Sequence, residues 1–231
     1  GHLPAGDPLR WRRGRPIVRR LHAGVALVAG LLLTAGSAPA ASAATVTIAG
    51  DIATCGGDGD SRTAAIVARQ PGILMTAGDN VYPSGTLNQF RRCYGPTWGR
   101  FLGRTRPALG NHDWETRGAA GYFRYFGKRA GPAGRGYYTF RTGGWRIYVL
   151  DSTRCLRSDG SLSACGRGSD QYRWLARQLD RRSARCVMAV LHHPRFSSGP
   201  GGDHRKVAPL LWQLYRAGAD LVVSGHDHSY E

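Results

Sequence analysis

The sequence predicts an α/β fold, a sandwich of mixed sheets flanked by helices. Three observations carry that expectation. Short β-branched or apolar runs alternate with longer helix-like segments from residue 45 to residue 224. Two of the runs flank Gly143-Gly144, a hairpin signal. Five of the runs end in a short turn bearing Asp51, Asp79, Asn111, His192 or His226. Ligands of α/β sheets sit outside the carboxyl ends of strands, so five such turns at one edge would share one crevice.

Taken in order, residues 45–49 are a β-branched strand closed by Gly50-Asp51. Residues 61–70 read as a helix, with Ser61 able to cap it. A second apolar strand over 72–77 ends in Gly78-Asp79, and a shorter one over 106–109 ends in Gly110-Asn111-His112-Asp113. Residues 137–141 and 145–150 pair as the hairpin, and Asp151 closes the second strand in a turn. Residues 170–182 place Trp174, Leu175 and Leu179 on one face of an amphipathic helix. The run 186–191 is a buried strand ending in His192. A helix over 207–217 and a last strand over 221–224 lead to Gly225-His226-Asp227-His228.

Residues 1–43 have the layout of a secretory signal peptide. Arg10, Arg12, Arg13, Arg15, Arg19 and Arg20 form a basic stretch, an apolar run follows, and Ala41-Ser42-Ala43 supplies a small-residue cleavage site. The apolar run is shorter than the ~20 residues that span a bilayer. The expected mature protein is therefore residues 44–231, exported to an extracellular or periplasmic space and free of the membrane after cleavage. The formal net charge is +17. Six of the 32 Lys and Arg and one of the 15 Asp and Glu fall in the leader, leaving +12 on the mature part. Such a surface attracts anionic substrates. There is no basic block or nucleic-acid-binding motif, so no specific nucleic-acid partner is expected. All five cysteines follow the leader. Export permits disulfides; Cys155 with Cys165 is the first expected pair and Cys55 with Cys93 the second, leaving Cys186 as a buried free thiol. No C-x-x-C suggests a zinc site.

Each Gly-Asp or His taken alone reads as an ordinary turn. The ordered set is different. Gly50-Asp51, Gly78-Asp79-Asn80-Val81-Tyr82, Gly110-Asn111-His112-Asp113, His192-His193-Pro194 and Gly225-His226-Asp227-His228 together resemble the calcineurin-like metallophosphoesterases, over residues 46–228. The first block lacks the His of the Asp-x-His pattern common in that superfamily. Tyr82, three residues after Asp79, instead resembles the purple acid phosphatases. Asp113 stands where those enzymes more often carry Glu.

The resemblance implies a metallophosphoesterase-type β-sandwich of two mixed sheets flanked by helices, with further strands beyond residue 231, so the sequence is expected to be incomplete at its C-terminus. It implies two metal ions, Fe3+ plus a divalent ion (Fe2+, Zn2+ or Mn2+). Asp51, Asp79, Tyr82 and His228 would hold the first. Asp79, Asn111, His192 and His226 would hold the second, with Asp79 bridging. Hard oxygen donors and imidazole suit such ions, and a shared carboxylate offsets the repulsion of two close cations. The implied activity is hydrolysis of phosphomonoester substrates by metal-bound hydroxide, as in an acid phosphatase. His112 would stabilise the transition state or act as general acid, Asp113 would orient it by a hydrogen bond, and His204 in the glycine-rich loop would serve the substrate pocket. His193 is expected to be structural. Two alternatives remain open at this point: a phosphodiesterase with the same ligand set, and a non-catalytic anion-binding protein.

Overall fold

A computed structural model describes residues 44–156, 165–181 and 184–231. The expected leader over residues 1–43 lies outside these. Strand β1 (Val46–Ala49) leads through helix α1 (Gly59–Ala68) to β2 (Ile73–Thr76) and on to β3 (Thr105–Pro107). These three strands form one sheet in that order, all parallel. Helix α2 (Ala120–Phe126) precedes the hairpin of β4 (Tyr138–Thr142) and β5 (Trp145–Val149). Helix α3 (Asp170–Asp180), β6 (Cys186–Val190), helix α4 (Ala208–Arg216) and β7 (Leu221–Val223) complete the order. The second sheet runs β4-β5-β6-β7, antiparallel at the hairpin and parallel elsewhere.

The expected strands and helices are all present, with ends shifted by at most two residues. The alternation of side chains explains the layering. Met75, Ile147, Val149, Met188 and Val190 belong to a core cluster between the two sheets. Their chain neighbours Leu74, Tyr148, Leu150, Val187 and Ala189 point the other way, into clusters under the helices. A period of two therefore buries both faces of each sheet. Each fully buried aliphatic side chain contributes about 1.5–3 kcal/mol of transfer free energy. Ser169 caps α3 by accepting from Tyr172 N–H at 3.1 Å.

Around β3, the stretch between β2 and β4 is largely helical, which the sequence pattern does not indicate. It holds several short helical turns, from Leu87–Gln89 to Gly127–Ala130, that gather Phe90, Tyr94, Trp98, Tyr122 and Phe126 into one buried aromatic core. Cys55–Cys93 and Cys155–Cys165 are both disulfides, as expected. Cys186 is the free cysteine but only half-buried, because it opens β6 at the rim of the sheet rather than in its centre. Among the described residues no helix is long and apolar enough to cross a membrane.

Close backbone approach at the carboxyl ends of the first sheet makes the glycine at 110 obligatory. A Cβ there would lie 2.1 Å from Asp79 Oδ1 and 2.2 Å from Asp79 N. Gly56, by contrast, has nothing within 4 Å of its virtual Cβ. Gly110→Ala is therefore expected to lower stability by about 1–3 kcal/mol in thermal or urea denaturation, while Gly56→Ala leaves it within about 0.5 kcal/mol. Equal effects from the two variants would contradict the packing described.

Candidate metal centre

Five strand ends converge at one edge of the sandwich. Asp51 follows β1, Asp79 and Tyr82 follow β2, Asn111 follows β3, His192 follows β6, and His226 and His228 follow β7. The turns are tied by backbone bonds: Asp51 N–H donates to Gly78 O at 3.0 Å and Gly225 N–H to His192 O at 2.9 Å. Among the described residues, three of the four non-glycine residues with positive φ are Asp51 (57°), Asp79 (45°) and His226 (77°). Left-handed backbone is disfavoured for side chains with a Cβ and concentrates at functional sites.

Each carboxylate divides its oxygens between two tasks. Asp51 Oδ2 accepts from His226 N–H at 3.0 Å, and Asp79 Oδ1 accepts from His112 N–H at 2.8 Å. The other oxygens face the crevice. Tyr82 OH lies 3.0 Å from Asp51 Oδ1, 3.4 Å from Asp79 Oδ2 and 3.2 Å from His228 Nε2. On the far side of Asp79, His192 Nε2 lies 3.2 Å from Asp79 Oδ2, 3.0 Å from Asn111 Oδ1 and 3.3 Å from His226 Nδ1. His192 Nδ1 is 2.8 Å from Ala77 O, a donor's geometry that leaves the Nε2 lone pair to the crevice. Two groups of four side chains thus meet, with Asp79 Oδ2 common to both.

The electrostatics fit a cation-seeking site. Burial raises the Asp51 carboxyl, and neighbouring Asp79 adds to this against His192 and the His226 and Tyr82 hydrogen bonds. Burial also pushes Asp79 upward, but the hydrogen bond and charge of His192 with the His112 amide outweigh it and hold the group below its ordinary value. Burial, Asp79 and Asp51 together push the Tyr82 hydroxyl far above the usual tyrosine range. The ion-pair partners of Asp51 and Asp79 among the described residues are histidines only. Ligand atoms of Asp51, Asp79 and His192 lie within 4.8 Å of one another. Oxygen and imidazole donors at this spacing suit iron, zinc or manganese.

His112 stands at the rim, its Nε2 4.0 Å from Asp79 Oδ2 and its ring centroid 4.5 Å from that of Tyr82. Its orientation does not come from Asp113. His112 Nδ1 is instead 2.6 Å from Pro83 O. Asp113 is fully buried and accepts from Gly110 N–H at 3.0 Å and from Asn80 Nδ2 at 2.8 Å. Adjacent helical residues do not face each other, and Asp113 turns back to clamp the turns that carry Asp79 and Asn111. Burial, reinforced by Asp79, raises its carboxyl to about 7 against those hydrogen bonds. A Gly-x-x-Asp opening a helix is a capping signature, which is where the sequence held this role.

His204 reaches the cluster. Its ring centroid lies 4.8 Å from that of His226 and 4.9 Å from that of His193. Burial, then the charges of His192 and His204, depress His226 to about 4. His193 is buried behind them, with Nδ1 3.0 Å from Ser152 Oγ, and burial takes it down to about 2. Its ligand atom nevertheless lies within 4.8 Å of those of His192 and His226, so the three imidazoles form one cluster. Asp151 closes its turn by accepting from Thr153 N–H at 3.1 Å.

Comparison with known proteins agrees with this geometry. The family model for calcineurin-like phosphoesterases matches residues 44–230. The probable purple acid phosphatase 20 of Arabidopsis thaliana is 29% identical over 168 residues, 62% of this chain and 37% of the relative. A probable cyclic nucleotide phosphodiesterase of Synechococcus is 31% identical over 166 residues, 69% of this chain and 59% of that protein. The solved purple acid phosphatase PPD1 from yellow lupin seeds superposes with a TM-score of 0.59 at 16% identity, covering 79% of this chain and 37% of that one. The chain matches between 21% and 37% of the length of its plant purple acid phosphatase relatives. On the family match and the ordered strand-end residues together, the chain belongs to the calcineurin-like phosphoesterase family and within it resembles the purple acid phosphatases.

Proposed function

We propose that this protein is an exported phosphatase that hydrolyses phosphomonoesters at a centre of two metal ions, Fe3+ and a divalent partner. The observation that carries the reading is the sharing of Asp79 Oδ2 between the two groups of ligands. Asp51, Asp79, Tyr82 and His228 would hold one ion, and Asp79, Asn111, His192 and His226 the other. When bound, the ions would lower the pKa of water and neutralise the phosphoryl oxygens. Two disulfides support export, since oxidising compartments preserve them.

The chain's own residues supply the rest. Tyr82 is poorly able to ionise among two carboxylates, and a trivalent ion at that corner would reverse the balance and favour the phenolate. His112 Nδ1–H donates to Pro83 O and Nε2 faces the crevice, where the ring in its imidazolium form carries a second proton that it can give to the leaving alkoxide. The His204 ring, 4.8 Å from that of His226, would meet a phosphoryl oxygen from the glycine-rich loop. A phosphodiesterase reading is favoured by the Synechococcus relative; such an activity would use the same ligands of this chain and differ only in the ester accepted.

Asp79→Ala is expected to lose bound metal and to bring p-nitrophenyl phosphate turnover to background while the protein is still exported. Full turnover in that variant would remove the basis of the proposal. Purified protein loaded with iron should show a visible tyrosinate charge-transfer band that disappears in Tyr82→Phe. An active, colourless, metal-loaded protein would instead point to two divalent ions. Faster turnover of bis-p-nitrophenyl phosphate than of the monoester would shift the assignment to a diesterase.

A further inference from the structure

The residue between the two histidines of the last turn has no part in the ligand set, and its side chain points elsewhere. Asp227 is spent on the glycine-rich loop that carries His204. Ser197 OH donates to Asp227 Oδ2, and Gly201 N–H donates to Asp227 Oδ1 at 2.7 Å. Ser197 Oγ in turn accepts from Gly199 N–H at 3.0 Å. Both carboxylate oxygens are thus occupied by one loop. The loop is closed at its base, where His204 N–H donates to Pro194 O at 3.3 Å.

Packing makes the same point independently. A Cβ at Gly199 would lie 2.6 Å from Asp227 Cγ, and one at Gly201 would lie 2.8 Å from Asp227 Oδ1 and 3.1 Å from His226 Cδ2. Only glycine lets the backbone lie this low on the His226 ring. A segment with glycine at 199, 201 and 202 loses much conformational freedom on ordering, so it needs a strong tie. Charge-assisted hydrogen bonds to a carboxylate are the strong kind. Other ties hold the loop beside it: Arg195 with Asp203 at 3.4 Å and Ser197 N–H to Asp203 Oδ1 at 3.1 Å lie within the segment, and Ser198 donates its N–H, at 3.1 Å, and its hydroxyl to the Glu231 carboxylate, but of these acids Asp227 alone neighbours the ligand His226.

We propose that Asp227 is a positioning residue that holds residues 197–202 down on His226 and thereby fixes where His204 meets the phosphoester. This rests on the phosphoesterase reading for its kinetic consequence, but not for its structural one. The ligand turn and the substrate loop are joined through a group that touches neither metal nor substrate. A local change at the loop would then alter substrate binding without stripping the ligands.

The test is a double-mutant cycle. Asp227→Ala and His204→Ala are each expected to raise KM for p-nitrophenyl phosphate by about 10-fold or more, with kcat changed far less and bound metal unchanged. The double variant should be no worse than His204→Ala alone, because the carboxylate acts through that histidine. Multiplying effects, or lost metal in Asp227→Ala, would overturn the proposal. Asp227→Asn keeps one acceptor for Gly201 N–H and should recover much of the wild-type KM. If Asp227→Ala does not fold, Gly201→Ala carries the same expectation. A second readout needs no enzymatic activity: trypsin should cut after Arg195 about 10-fold faster in Asp227→Ala than in the native chain. Equal cutting rates would refute the clamp even if the protein proved inactive on every ester, and faster cutting would sustain it in that case.

Discussion

The centre depends on how two carboxylates divide their oxygens. Asp51 and Asp79 each give one oxygen to a backbone N–H of another turn, His226 in one case and His112 in the other. Those bonds join turns that are 175 and 33 residues apart in the chain. The remaining oxygens are left aimed at Tyr82, His228 and His192. A carboxylate held at one oxygen by a charge-assisted bond is pre-aimed at the other, so ordering costs little when a cation arrives. The same bonds that close the fold at this edge therefore aim the ligands.

The layered sandwich exists to bring these turns to one edge. Parallel strands all end on the same side, and both sheets are covered by helices on their outer faces. Buried side chains on alternate positions lock the register, and a slip of one residue would exchange core and helix faces along each strand. Register in turn sets the height of each strand end, and so the distances among Asp79, Asn111 and His192. Glycine at 110, beside Asp79, is what allows the turns after β2 and β3 to approach so closely.

Much of this was readable from residues alone. Strand ends announced themselves through Gly-Asp, Gly-Asn-His and Gly-His-x-His, because turn residues and ligands coincide there. Asp51, Asp79, Tyr82, Asn111, His192, His226 and His228 all meet. The aromatic helical region between β2 and β4 was not readable, since turns of three to seven residues of mixed helical type carry no full amphipathic period. The orienting role that the resemblance implies for Asp113 does not hold here, because a helix sends neighbours in different directions and Asp113 binds Gly110 and Asn80 instead. Asp227 was visible between two histidines, but its partners Ser197 and Gly201 lie some thirty positions away, and no local pattern reveals such a pairing.

The left-handed backbone at Asp51, Asp79 and His226 sets the chain against itself. Glycine would adopt these conformations without strain, and removing either acid would also relieve the crowding of like charge at the crevice. The hydrogen bonds that Asp51 and Asp79 accept offset part of that backbone cost. At this edge an easy backbone and a placed donor pull in opposite directions, and the residues present favour the donor.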